Sequence, residues 1–256
     1  MVIFLPSARG QHSRMASSDS AFHRALPHGP IEQVFEHVFF VTGTTRPTFF
    51  GLDWQFSRNM TIVRDGEALT LVNTVRLDDA GLEALEALGT VRHVVRLGAF
   101  HGMDDAFYLD RYGASLWALQ DMVHEHTHPT DHVLRPGAPL PWADASLFVY
   151  ETAKQPEGML LVARAGGILI ACDSLQNWEA PDAFFDEASA ARMQSMGFFR
   201  TANVGPGFRT ACEPAAADFQ RILELPFRHL VSAHGTVLRD EAKPHLRETF
   251  AELYGI

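Results

Sequence analysis

The sequence predicts an α/β protein, a four-layer αββα sandwich, on three observations. Two halves of the chain each open on apolar strand patterns and close on helix–strand alternation, as expected of two sheets each covered by helices on one face. Three short apolar runs, Val91 to Phe100, Gly167 to Cys172 and Leu230 to Ala233, read as buried strands. Each run leads into side chains able to hold a cation: His101-Gly102-Met103-Asp104-Asp105, Asp173-Ser174-Leu175-Gln176-Asn177, and His234-Gly235. Strand ends are where α/β folds place their chemistry.

The elements follow in order. Val2-Ile3-Phe4-Leu5 is cut short by Pro6, too short for a signal-peptide core. The chain through residue 30, rich in Ser, Ala, Arg and His from Ser7 on, reads as a flexible leader (1–30) before a single domain (31–256). The leader also suits organelle targeting, and a start at Met15 would remove half of it. Glu36 to Thr42 and Met60 to Val63 read as strands by β-branched and aromatic content. Arg64-Asp65-Gly66-Glu67 is a hairpin turn, and Leu69 to Val75 returns from it. Asp78 to Leu88 carries Leu82, Leu85 and Leu88 at helical spacing and stops at Gly89.

After the strand ending at Phe100, a short helix over Asp105 to Tyr112 is closed by Gly113, and Leu116 to Leu119 is a strand. A His- and Pro-rich loop fills Val123 to Trp142. Ser146 to Tyr150, Met159 to Ala163 and Ile168 to Cys172 form the second set of strands. Pro181 to Met196 is helical from a permitted proline position, and Gly197 to Pro214 is irregular. A helix over Ala215 to Leu225, a strand over Arg228 to Ala233 and a helix over Glu241 to Leu253 complete the domain.

Charge and composition narrow the function classes. Asp and Glu number 31 against 21 Lys and Arg, a formal net charge of −10 with no basic stripe, which excludes a nucleic-acid surface. No apolar run approaches the roughly 20 residues that cross a bilayer. The two cysteines, Cys172 and Cys212, are far apart in sequence, and Cys172 in its apolar strand reads as a buried free thiol. The expectation is a cytoplasmic chain with a small-molecule substrate, no nucleic-acid or membrane partner, and room for a homodimer.

The order of these clusters resembles the metallo-β-lactamase-fold hydrolases, over Glu36 to Tyr254. That family's strand-end motif is His-x-His-x-Asp-His. Gapless placement sets His101 on the first His, Met103 on the second, Asp105 on the Asp and Ala106 on the last His. Met103 and Ala106 cannot replace imidazole, and Asp104 stands in for a lost ligand only with a one-residue shift. Lys154 falls near the family's next histidine, Asp173 on its bridging Asp with Asn177 after it, and His234-Gly235 on its last His-Gly. Ala99-Phe100-His101 before an aromatic-rich helix is similar to an uncharacterised branch of the superfamily with a reduced ligand set.

The resemblance implies a metal site of His101, Asp105, Asp173 and His234. It would hold one divalent ion (zinc, iron or manganese) or none. Asp105 and Lys154 then take catalytic roles, Lys154 supplying positive charge where a second metal is lost. The implied function is a metal-dependent hydrolase of a small ester, thioester or related bond. The alternative is a non-catalytic protein of the same fold that binds a small ligand or a protein partner in the degenerate site.

Other readings of the same residues stay open. His101 also fits a solvated strand-end histidine, and Asp173 also fits a cap on the next turn. His124, His126, His128 and His132, with Asp131, form either a second metal cluster or an exposed polar loop. Met193, Met196, Phe198, Phe199 and Phe208 either cap the site or pack a core.

Overall fold

A computed structural model describes residues 22–124 and 128–256. In the first half lie Glu32–Phe35 (β1), Val38–Thr45 (β2), Thr48–Phe49 (β3), Leu52–Asp53 (β4), Phe56–Asp65 (β5) and Ala68–Val72 (β6). Asp79–Leu88 (α1), Thr90–Arg96 (β7), Asp105–Tyr112 (α2), Ser115–Leu119 (β8) and His132–Leu134 (β9) follow. The second half has Ala145–Val149 (β10), Gly158–Val162 (β11), Ile168–Ala171 (β12), Leu175–Trp178 (β13) and Glu187–Ser195 (α3). It ends with Arg200–Val204 (β14), Pro206–Cys212 (α4), Ala216–Glu224 (α5), His229–Ser232 (β15) and Ala242–Tyr254 (α6).

The larger sheet runs β1-β2-β5-β6-β7-β8-β9, antiparallel to β6 and parallel beyond it. The second runs β10-β11-β12-β15, with β12 and β15 parallel. Side-chain alternation sorts the apolar residues into three layers. Val38 and Phe40 of β2 face the space between the sheets, where they meet Leu160, Ile168, Ile170 and Val231. Phe39 and Val41 face the other way, onto α1 and α2 through Leu82, Leu85, Phe107 and Tyr108. Leu169 and Leu230 turn outward onto Phe208, Phe219, Ile222, Leu246 and Phe250 of α4, α5 and α6. Three apolar layers between four structural ones make the αββα sandwich that the sequence predicts. Ile170 is wholly buried between the sheets. Ile170→Ala is therefore expected to cost about 3 kcal/mol in urea unfolding, without altering the sheet order.

Several boundaries differ from the sequence reading. The strand expected to reach Phe100 stops at Arg96, whose guanidinium turns back to donate to the carbonyls of Gly98 and Ala99 and so folds residues 97–102 into a loop. The region expected to be irregular contains β14 and α4, and the expected His- and Pro-rich loop contains β9. The helix expected from Pro181 begins at Glu187, where Asp186 accepts from the Ser189 N–H as its cap. The leader boundary at 30 is too late. Gly29 N–H donates to Thr42, Thr44 donates to Pro27, and Phe22 meets Phe107 edge to face at 5.9 Å. The rest of the expected leader, residues 1–21, lies outside the described residues. Among those described, no helix is long and apolar enough to cross a membrane.

Candidate metal centre

Ala171 and Ser232 are register partners at the ends of parallel β12 and β15. Asp173 and His234 each lie two residues further on, so equal offsets set them side by side. His101 arrives from the facing sheet, five residues past the end of β7. His101 Nε2 and His234 Nε2 are 3.1 Å apart. The Asp173 carboxylate spans both imidazoles, 3.1 Å from His234 and 3.4 Å from His101. Side-chain exposures of 5%, 7% and 14% for His101, His234 and Asp173 leave the carboxylate as the member nearest solvent.

The donor atoms fit a cation. Ligands about 2.0–2.1 Å from a tetrahedral zinc lie about 3.3 Å from one another. The His234 ring faces an oxygen on each side, its Nδ1 3.4 Å from the Ser57 carbonyl and its Nε2 3.1 Å from Asp173. Two imidazole nitrogens and a carboxylate converge at 3.1 to 3.4 Å, and a positive ion would meet all three.

Burial pushes the His101 imidazole down to about 3, with help from His234 and the Arg58 and Arg96 guanidinium groups against the pull of Asp173. His101 is therefore a neutral imidazole. Burial opposes ionisation of Asp173, but the contacts with His101 and His234 outweigh it and hold the carboxyl below its ordinary range. An unfolded His101 takes up its proton near 6.5 and the folded one only near 3. Its stabilisation is thus complete above pH 6.5 and is lost as pH falls toward 3. In chelator, urea midpoints at about pH 7.5 and about pH 5 should diverge, and diverge less in His101→Asn.

Of the four residues expected at the metal, the structure brings together His101, Asp173 and His234. Asp105, the fourth, is held by a different partner. At the first turn of α2, its Oδ1 accepts from Thr74 Oγ1 at 2.6 Å, and its Oδ2 has no hydrogen-bond partner. It lines a small cleft with Gly102, Ala106, Leu109, Leu116, His124 and His128. Lys154 sits on the surface in an ion pair with Glu213. Asp218 accepts from the N–H groups of Glu151 and Thr152 and so fixes the path of that segment.

Asn177 accepts from the Ala202 N–H and donates to Thr236, supporting the loop rather than facing the trio. Gly235 answers a backbone demand. At φ 86° its Cβ would lie 2.2 Å from the Asn177 carbonyl, so glycine admits a crossing chain there. His124 Nδ1 accepts from the Arg96 guanidinium and its Nε2 pairs with Thr130 Oγ1, and His132 stacks on Trp117 at 4.0 Å. His126 lies outside the described residues. Met193 and Phe208 are buried, while Phe198 and Phe199 approach Trp178, whose ring lies 4.8 Å from His234.

Sequence reasoning missed four residues. Glu157 is buried, its Oε1 accepting from the Ser174 N–H at 2.5 Å, and burial beside Asp173 raises its carboxyl well above the ordinary range. Cys172, His101 and Asp173 place their ligand atoms within 4.8 Å of one another. Arg96, a charge inside an apolar run, pins the loop before His101. Arg58 pairs with Asp104 in the interior. The signal for the two arginines was available, because a charge within a buried strand needs a partner.

The fold is similar to that of DIM-1 metallo-β-lactamase, with a TM-score of 0.60 and 14% identity over 88% of this chain and 99% of that one. It is similar to the metallo-β-lactamase FIM-1 from Pseudomonas aeruginosa in its mono-zinc form, at 0.57 and 14% over 90% and 97%. A metallo-β-lactamase from Hirschia baltica gives 0.54 and 15% over 87% and 98%. No family model and no curated protein matches the sequence.

Proposed function

The chain has the metallo-β-lactamase fold, and on that scaffold we propose that it is a hydrolase of a small ester, thioester or related bond, dependent on one divalent metal ion. The observation that carries the reading is the convergence of two imidazole nitrogens and one carboxylate at 3.1 to 3.4 Å. When bound, the ion supplies Lewis acidity and a water nucleophile near neutral pH. His101, Asp173 and His234 hold it. Arg58 and Arg96, both buried near His101, put fixed positive charge beside the trio, which favours one cation over two. Trp178 and Phe56 shield the outer face of His234 from water.

A second reading has its own support. With Asp105 held by Thr74 and Lys154 held by Glu213, neither expected catalytic group faces the trio, as in a protein that binds a ligand without turning it over. One experiment separates the two. Purified protein is assayed on activated ester and thioester substrates before and after chelation, with elemental analysis of the same sample. Hydrolysis that stops on chelation and returns with zinc supports the enzyme. Metal-loaded protein without turnover across the panel supports the binder.

A further inference from the structure

We propose that Cys172 is a fourth ligand of the cation held by His101, Asp173 and His234, and that the site therefore takes a thiophilic divalent ion, zinc or cobalt, in preference to magnesium, calcium or manganese. The inference rests on the reading of the trio as a metal site. Along β12, Ile168 and Ile170 face the space between the sheets, and Cys172 is the next inward position, at the rim beside Asp173. Its Sγ lies 3.3 Å from Asp173 Oδ2. A tetrahedral ion about 2.3 Å from sulfur and about 2.1 Å from nitrogen sets the two about 3.6 Å apart. The sulfur, the His101 nitrogen and the Asp173 oxygen lie within 4.8 Å of one another.

Glu157 gives a second, independent indication. It is 1% exposed, and its Oε2 has no hydrogen-bond partner. A Cβ at Gly98 would lie 2.6 Å from Cys172 Sγ and 3.1 Å from Glu157 Oε2. Thiol and unpaired carboxylate oxygen thus face one spot, next to the trio and backed by a residue without a side chain. A buried oxygen left without a donor is costly, and such an arrangement suits a cation more than an apolar core. On binding, the sulfur exchanges its proton for the metal and the proton passes to solvent. Two nitrogens, one oxygen and one thiolate favour borderline-soft ions over hard, oxygen-seeking ones.

Cobalt(II) added to the metal-free full chain tests this by absorption. Visible bands report any bound cobalt, and a near-ultraviolet thiolate-to-cobalt band reports only sulfur ligation. The sequence has one other cysteine, Cys212. The expected result is a charge-transfer band that saturates with the visible bands, survives in Cys212→Ser, disappears in Cys172→Ser, and yields to zinc but not to excess magnesium, calcium or manganese. Visible bands that saturate with no charge-transfer band overturn the role of Cys172 and leave the trio standing. Absence of cobalt binding overturns the trio as well. If Cys172→Ser does not fold, the unchanged chain and Cys212→Ser decide the question alone.

Discussion

Asp173→Ala is expected to remove tight binding of a divalent cation, while Asp105→Ala and Lys154→Ala retain it. The Asp173 carboxylate is the group that spans both imidazoles, at 3.1 and 3.4 Å. Zinc sites with four protein ligands bind with about 10–16 kcal/mol, or about 3 kcal/mol per ligand, so losing one weakens binding by about a hundredfold or more. Hydrolysis should fall by at least as much, because the ion and the water it would activate leave together. Lys154 pairs with Glu213 at the surface, so its removal should leave both binding and turnover unchanged. Asp105→Ala unsettles the Thr74 contact and should lower the unfolding midpoint without lowering metal affinity. Calorimetric titration with zinc on the three variants measures this. Equal loss in Asp105→Ala and Asp173→Ala would return Asp105 to the ligand set.

That contrast shows how far the sequence alone reaches. Spacing within a strand fixes what stands at its end. Asp173 and His234 were therefore legible from the apolar runs before them, and their parallel register sets them together. Likewise α2 begins at Asp105 and stops at Gly113, which takes the left-handed conformation that ends helices. Spacing does not fix where a first-turn side chain points, and Asp105 was claimed by Thr74, thirty-one positions away in sequence. Lys154 was placed by a loose register in a turn whose path is set by Asp218, a buried carboxylate 64 residues further on. Strand β13 escaped notice because Gln176 and Asn177 are polar yet buried, the Gln176 Nε2 donating to the Asp173 carbonyl and the Asn177 amide bonding to Ala202 and Thr236. Such pairings are long-range, and no local pattern announces them.

The other large effect concerns the ion pair of Arg58 and Asp104. Both side chains are buried, at 7% and 2% exposure. Asp104 Oδ2 takes the Arg58 guanidinium and also the Arg76 N–H at 2.7 Å, so one carboxylate ties β5 to the loop that carries His101. Arg58→Ala strands the Asp104 charge in the interior, and Asp104→Ala strands the guanidinium. Each is expected to cost about 3–5 kcal/mol. Replacing both with apolar groups of similar volume, Arg58→Met with Asp104→Leu, removes the desolvation penalty together with the attraction, and should recover most of that loss. A double-mutant cycle by urea unfolding reads the coupling directly. Metal affinity should persist in the double variant, because Asp173 and His234 are set by the parallel register of β12 and β15, and the loop before His101 is still held by Arg96. Single variants as stable as the parent would show that the pair is hydrated in solution and carries no part of the fold around the site.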